Sequence, residues 1–223
     1  MHRKISRSSP PLPTLLAALG IALVCETAAA QPPGACNVSA VGHHGHLGCY
    51  LSASDTLGAL PAVPLFWHLY DYPTMAAARA ARGLHGTVVQ SFGHNWLFTI
   101  ADSAWRPTSG YCVAVVGPLP LQHHDSYTAR YLETMTKHGL YSMVHRHSGP
   151  EAWYILSGEQ CLETPGRKDV VTAGHTSIVP EGPPMLLSTP GTATRRAVVL
   201  VLHDTSRPWN TKATDWKPKG LCG

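Results

Sequence analysis

The sequence has few charged residues and no long apolar run beyond its first 30 residues. Only 13% of its 223 residues are charged, and the formal net charge is +4. The basic residues are scattered rather than clustered, which argues against nucleic acid as a partner. No later stretch reaches the roughly eighteen apolar residues that a membrane span needs, so no transmembrane segment is expected. The apolar fraction of 44% is typical of a globular protein with a sizeable core.

Residues 1–30 have the organisation of a secretory signal peptide. Three basic residues precede the apolar run Leu15–Val24, and Ala28–Ala30 offers a cleavage site of small residues. The apolar run is too short to cross a bilayer as a stable helix. We therefore expect an exported protein, periplasmic or secreted. Its mature chain would carry a net charge of about +2, because the leader removes three basic residues and one acidic residue.

Five cysteines remain after residue 30, and disulfides are permitted after export. Cys36 could pair with its near neighbour Cys49 or with Cys222 at the other end of the chain, and spacing does not choose between these pairings. An odd number leaves at least one thiol free, and Cys112, expected to be buried on a strand, is the candidate.

The stretch Gly139–Gly158 carries the pattern with the clearest chemical meaning. His145 and His147 lie two residues apart, and Glu151 follows the turn sequence Ser148–Gly149–Pro150. Residues two apart on a strand point to one face, so both imidazoles can reach one ion. The turn would bring Glu151 beside them from the next strand. Two imidazoles and a carboxylate suit a divalent transition metal, such as iron, copper, manganese or zinc, with open coordination positions.

This stretch resembles the first motif of the cupin family: Gly, five residues, His-x-His, three or four residues, Glu, six residues, Gly. Gly139, His145, His147, Glu151 and Gly158 occupy its fixed positions. The resemblance implies a jelly-roll barrel with a small-molecule pocket around a metal, and often a homodimer. Cupin activities include dioxygenases, isomerases and lyases beside non-catalytic proteins, and fold alone does not select among them.

The family's second motif is matched in part. It reads Gly, five residues, Pro-x-Gly, two residues, His, three residues, Asn; Gly174, Pro180 and Gly182 fit, whereas Met185 replaces the histidine ligand and Thr189 the Asn. A thioether is a soft ligand, so coordination by Met185 would favour copper. If Met185 only fills space, the other three ligands form the facial arrangement of non-haem iron enzymes that activate oxygen. A site too weak to hold metal is the third interpretation.

Two further residues are candidates for the pocket. Trp153 shares a strand face with Glu151 by alternation and could form a pocket wall, although core packing explains an aromatic there equally well. His203 lies where a strand leaves the barrel and could line the mouth of the pocket or act as a cap. An early trio, His43, His44 and His46, could bind copper or zinc, but a solvated loop is the preferred interpretation.

The expected fold is mainly β, a cupin-type jelly-roll barrel with a smaller N-terminal α+β module. The module comprises residues 31–118, with several strands and a helix from Met75 that Thr74 caps; a degenerate barrel half is the alternative. Residues 119–205 form the barrel, and residues 206–223 are a tail that wraps the outside.

The segment 121–138, which leads into the barrel, has apolar residues at spacings near three and four. It is expected to be either a short helix or an extended lead-in.

Two functions remain open from the sequence. The first is an exported small-molecule metalloenzyme, an oxidoreductase of dioxygenase type. The alternative is a non-catalytic module that binds metal or ligand. The missing fourth histidine favours the alternative, while the complete first motif opposes it, because two histidines and a glutamate would be costly to bury unpaired. No acid and base pair for catalysis is evident in the sequence.

Overall fold

The computed structural model describes residues 35–223, and the signal peptide predicted at residues 1–30 lies outside the described residues. Within this part the chain is mainly β, as expected, with antiparallel sheets and one short α-helix. No helix in residues 35–223 is long and apolar enough to cross a membrane.

The first group of elements builds a four-stranded sheet and one strand of a larger sheet. Thr74 caps the helix as predicted, because its side-chain oxygen accepts a hydrogen bond from the Ala77 amide at 3.1 Å. The elements are β1 (Gly48–Gly58), β2 (Phe66–Tyr72), α1 (Met75–Ala80), β3 (Gly86–Ser91), β4 (His94–Ala101) and β5 (Tyr111–Val116). The four-stranded sheet has the order β3-β4-β2-β5.

The second group contains the predicted barrel strands. They are β6 (Tyr127–Thr136), β7 (His145–His147), β8 (Glu151–Ser157), β9 (Glu159–Thr164), β10 (Arg167–Thr172), β11 (Thr176–Val179), β12 (Leu186–Ser188), β13 (Arg195–Asp204) and β14 (Asn210–Lys212). A five-stranded sheet has the order β1-β6-β13-β8-β11, and smaller sheets are formed by β10-β9-β12 and by β14-β7. Strand β1 therefore lies in the sheet of the barrel strands, although the sequence grouped it with the N-terminal module. The division into domains stays a prediction.

The five-stranded sheet is buried on both faces, which explains the uninterrupted apolar run in β13. Val198, Leu200 and Leu202 pack toward the four-stranded sheet. Val199 and Val201 alternate with them and point the other way. We call this second face, which carries Trp153, Ile155, Val199 and Val201, the barrel face. When both faces of a strand are buried, its sequence is a continuous hydrophobic run and does not alternate between apolar and polar residues.

The segment 121–138, for which the sequence left a helix or an extended lead-in open, contains strand β6 and is therefore extended. The strand lies between β1 and β13 and pairs with both. Its helix-like spacing has a different origin: Tyr127 and Tyr131 pack toward the four-stranded sheet, whereas Leu132 lies on the barrel face. The helix alternative is therefore wrong.

Within residues 35–223, the cysteines form two disulfides, Cys36–Cys49 and Cys161–Cys222. The local pairing of Cys36 is thus correct and its pairing with Cys222 is wrong. Cys112 is the free thiol, but it is exposed rather than buried, because β5 is an edge strand of the four-stranded sheet.

The tail does more than wrap the outside. Strand β14 pairs with β7, and Cys222 is bonded to Cys161 in β9. The buried carboxylate of Glu163 accepts hydrogen bonds from the backbone amides of Lys219 and Leu221. These contacts fix residues 206–223 against the barrel and bring Trp209 to the predicted site.

Candidate metal centre

Strand β7 presents both histidines on one side, as the two-residue spacing predicts. His145 and His147 are buried. Arg146, between them, points the opposite way and donates two hydrogen bonds to the carboxylate of Asp215, at 2.7 and 2.8 Å. Glu151 is the first residue of β8 and is also buried.

The turn between β7 and β8 is held against β13. The Leu202 amide donates to the Pro150 carbonyl at 3.0 Å, and the Asp204 amide donates to the Ser148 carbonyl at 2.8 Å. Between these bonds, Gly149 lies so close to β13 that a Cβ would collide with the Leu202 carbonyl oxygen. The middle residue of this turn therefore has no room for a side chain.

The three predicted ligands converge. The candidate ligand atoms of His145, His147 and Glu151 all lie within 4.8 Å of one another. Atom Nε2 of His147 is 3.0 Å from Oε2 of Glu151, and the two imidazole centroids are 4.9 Å apart. One ion could therefore contact all three side chains.

Backbone carbonyls set the orientation of both rings. His145 Nδ1 is 2.8 Å from the carbonyl oxygen of Met143, and His147 Nδ1 is 2.7 Å from that of Trp209. A carbonyl only accepts, so each Nδ1 carries the proton and each neutral ring keeps a lone pair on Nε2. Histidines that bind metals are commonly oriented in this way through the nitrogen that does not bind the ion.

The pair formed by His147 and Glu151 tests whether these residues fit a metal. Both Nε2 of His147 and Oε2 of Glu151 are buried, and neither has a hydrogen-bond partner among residues 35–223. With the His147 proton on Nδ1, a nitrogen lone pair faces a carboxylate oxygen at 3.0 Å. Two buried acceptors at this distance repel each other unless a proton or a metal ion lies between them, and the contact does not have the geometry of a hydrogen bond. The donor set therefore fits a divalent transition metal.

Burial also favours the ligand form of His145. It lowers the pKa of this histidine, and the neighbouring His147 lowers it further. A neutral imidazole is the form that binds a metal, so the environment of His145 favours ligation rather than protonation.

Met185 lies directly beside the cluster. It forms an isolated antiparallel bridge with His145, in which each backbone amide donates to the other residue's carbonyl, at 2.8 and 3.2 Å. Directly opposed residues of an antiparallel pair place their side chains on the same face. Met185 is fully buried with Trp153 and Ile155. The structure thus places Met185 beside a candidate histidine ligand, and coordination by the thioether stays a prediction.

The two predicted pocket residues occupy different environments. Trp153 is buried in the core of the barrel face, with Val199 and Met185. His203 is buried near the end of β13, and its Nδ1 donates to the carbonyl of Asp204 at 2.8 Å. Burial lowers the pKa of His203. A role in a pocket stays a prediction for both.

Two neighbours of the site were missed by sequence reasoning. The ring of Trp209 stacks on His147 with centroids 5.4 Å apart and an interplanar angle of 16°. The guanidinium carbon of Arg130 lies 4.6 Å from the centroid of the same Trp209 ring. The signal for Trp209 in the sequence was weak, because it is one of two tryptophans in a tail without periodicity.

The early histidines have other partners. His44 Nδ1 lies 3.0 Å from Oε2 of Glu133, and His43 stacks on Tyr50. Within residues 35–223, the group of His, Cys, Asp or Glu side chains with the spacing of a metal site is His145, His147 and Glu151.

No protein-family model matches the chain, and no curated protein matches it. Several solved structures are similar to part of it. A cupin superfamily protein from Desulfitobacterium hafniense has 16% identity over 34% of this chain and 68% of its own, with a TM-score of 0.32. DMSP lyase DddQ from Ruegeria pomeroyi has 21% identity over 40% of this chain and 45% of its own, with a TM-score of 0.35.

A cupin-like protein from Thermotoga maritima has 9% identity over 38% of this chain and 64% of its own, with a TM-score of 0.36. Several of the solved structures that are similar to part of this chain are cupin superfamily or cupin-like proteins. The likeness is partial, since each of these structures covers less than half of this chain.

Proposed function

We propose that this chain is an exported metalloenzyme that acts on a small molecule, with one divalent transition metal held by His145, His147 and Glu151. The observation that carries the proposal is the buried, unpartnered pair of His147 Nε2 and Glu151 Oε2 at 3.0 Å. A cation relieves the repulsion between these two acceptors, and the lone pair on Nε2 of His145 completes the ligand set.

The reaction class that suits this ligand set best is oxidoreductase chemistry of the dioxygenase type. Two imidazoles and one carboxylate leave open positions, as in the facial sites of non-haem iron enzymes. When bound, the ion supplies Lewis-acid or redox chemistry at these positions.

Other residues around the site would exclude water, accept hydrogen bonds and orient the ligands. Trp153 and Val201 line the apolar barrel face beside Glu151 and exclude water there. His203 donates from Nδ1, so its neutral ring keeps an acceptor at Nε2 that can take a hydrogen bond or a proton from a bound ligand. The carbonyls of Met143 and Trp209 hold the two histidine ligands in one tautomer.

Export is supported by two independent features. The first 30 residues have the order of a signal peptide, with basic residues, an apolar run and small residues. Two disulfides join described cysteines, and disulfides persist in oxidising compartments.

A non-catalytic metal-binding module is the second candidate, and Met185 is the observation that favours it. A buried thioether stands where the cupin motif has a histidine, so the site offers one strong ligand fewer. A small-molecule partner is expected in either case, and a homodimer stays a prediction.

Oxygen consumption tests the enzymatic proposal. Protein loaded with iron, copper or manganese would be offered phenols, diketones and thiols. We expect consumption with one class by wild type and by Arg146→Ala, whose side chain points away from the site, and none by His147→Ala. Equal rates for wild type and His147→Ala contradict the enzyme. A metal-loaded wild type that is inactive throughout supports the binding module.

A further inference from the structure

Arg130 is a charged residue on the barrel face for which the described chain supplies no counter-ion. Its side chain is half-buried, and its Nε is buried without a hydrogen-bond partner in residues 35–223. Nη2 donates to Oδ1 of Asn37 at 2.7 Å, and no carboxylate of these residues forms an ion pair with the guanidinium. An arginine keeps its charge at all ordinary pH values, so the protein holds a partly desolvated cation without an anion.

The register of the five-stranded sheet places this cation beside the metal centre. Val201 in β13 is opposite Arg130 on one side and opposite Glu151 on the other. Directly opposed residues share a face, so Arg130 and Glu151 both point to the barrel face. Adjacent strands lie about 4.8 Å apart, which separates their Cα atoms by about 10 Å.

Trp209 holds the guanidinium in this place. Its ring contacts Arg130 at 4.6 Å and also stacks on the metal-ligand candidate His147. A cation on an aromatic face is held without its edge donors being used. The terminal N–H groups that Asn37 does not use therefore remain available to a ligand, while Nε is buried without a partner.

Arg195 provides a contrast on the same strand face. It is buried and donates to Thr134 at 2.9 Å and to Gln160, so both of its terminal nitrogens have partners in the wall. Nε of Arg195, like that of Arg130, has no partner among residues 35–223. Arg130 differs because it is only half-buried and because, of its two terminal nitrogens, only Nη2 has a partner among the described residues.

We propose that Arg130 binds the carboxylate of a small organic acid whose other end, an oxygen donor, reaches the ion held by His145, His147 and Glu151. The inference rests on the proposed metal site and names its substrate class. A guanidinium offers two parallel N–H donors that match a carboxylate, which gives orientation as well as affinity. A bound acid would supply the anion that the chain lacks.

Calorimetric titration of the manganese-loaded mature protein tests the inference. The probes are malonate, succinate and glutarate, each compared with its monoamide, which keeps one carboxylate for the metal and neutralises the other. In wild type we expect at least one diacid to bind about 10- to 100-fold more tightly than its monoamide. Arg130→Gln should reduce this ratio to about one, and Arg130→Lys, which keeps a point charge, should retain part of it.

Arg196→Gln is the matched control, because Arg196 is an exposed arginine on β13, and it should keep the wild-type ratio. Metal content and acetate affinity are measured for every sample. A wild type that binds no metal overturns the metal site and this inference with it. If metal-loaded wild type binds diacids and monoamides with equal affinity, the role of Arg130 is overturned and the metal site stands. The same holds if Arg130→Gln leaves the ratio of diacid to monoamide affinity unchanged. If Arg130→Gln does not fold, a full wild-type ratio in Arg130→Lys overturns it equally.

Discussion

Each ring of the two central histidines is fixed by a carbonyl rather than by another side chain. Met143 and Trp209 accept the Nδ1 protons of His145 and His147, at 2.8 and 2.7 Å. The arrangement turns both Nε2 lone pairs toward Glu151. Without an ion, the two Nε2 atoms and the Glu151 carboxylate, which are all acceptors, lie together in a buried space. The residues are therefore arranged for a cation at some expense to the stability of the empty site.

Met185 allows a prediction about which ions bind. Leucine is close to methionine in volume, so Met185→Leu should lower stability by less than about 1.5 kcal/mol. We expect the affinity for Cu(I) to fall, because the soft sulfur is lost, and the affinity for Mn(II) to stay the same. Competition titrations with chelators measure both. Unchanged Cu(I) affinity would show that the thioether only fills space.

At the level of elements, the turn between β7 and β8 determines the geometry of the site. It joins the strand of the two histidines to the strand that begins with Glu151, and its backbone is bonded to β13 on both sides of Gly149. A shift of this turn would move His147 and Glu151 relative to each other. The site therefore depends on a residue that has no side chain.

Gly149→Ala tests that dependence. The added Cβ meets the Leu202 carbonyl, so β13 or the turn must move. We expect a loss of about 1–3 kcal/mol in the free energy of unfolding and a fall in metal affinity. The control is Gly83→Ala, whose Cβ would have its nearest contact at 3.9 Å and should be close to neutral. Thermal unfolding and metal titration measure the two effects, and wild-type values for Gly149→Ala would contradict the account.

The elements also show what the sequence could and could not predict. The two histidines and Glu151 were found because a strand, a turn and a strand are local, and their spacing fixes which side chains meet. Trp209 was missed because it contributes a backbone carbonyl, which every residue carries. Arg130 was missed because nothing local distinguishes a strand arginine that faces solvent from one that faces a barrel. The strand β6 was ambiguous because both of its faces are partly apolar.

At the level of the whole molecule, the tail and two disulfides tie both ends of the described chain, residues 35–223, to the barrel. Cys36–Cys49 lies at the start of β1, and Cys161–Cys222 joins the end of the chain to β9. The tail carries the carbonyl that orients His147. The geometry of the site therefore depends on a tail that a disulfide fixes to the barrel.

Mass spectrometry of protein isolated from its native compartment tests the proposed export and the cysteine pairing. We expect a chain that lacks residues 1–30 and that alkylates at a single cysteine, Cys112, before reduction. After reduction, all five cysteines beyond residue 30 should react. A full-length chain with every thiol reactive before reduction would contradict both the export and the pairing.

The central claim is that His147 and Glu151 face each other across a cation, and Glu151→Gln tests it most directly. A glutamine keeps the shape, and its amide can donate to His147 Nε2. We therefore expect metal affinity to fall by at least about 100-fold, while the metal-free variant is as stable as metal-free wild type or more stable by about 1 kcal/mol. Titration with iron, copper, manganese and zinc and chemical unfolding after chelation give the two values. The account is contradicted if Glu151→Gln binds these ions as wild type does, or if wild type binds none of them.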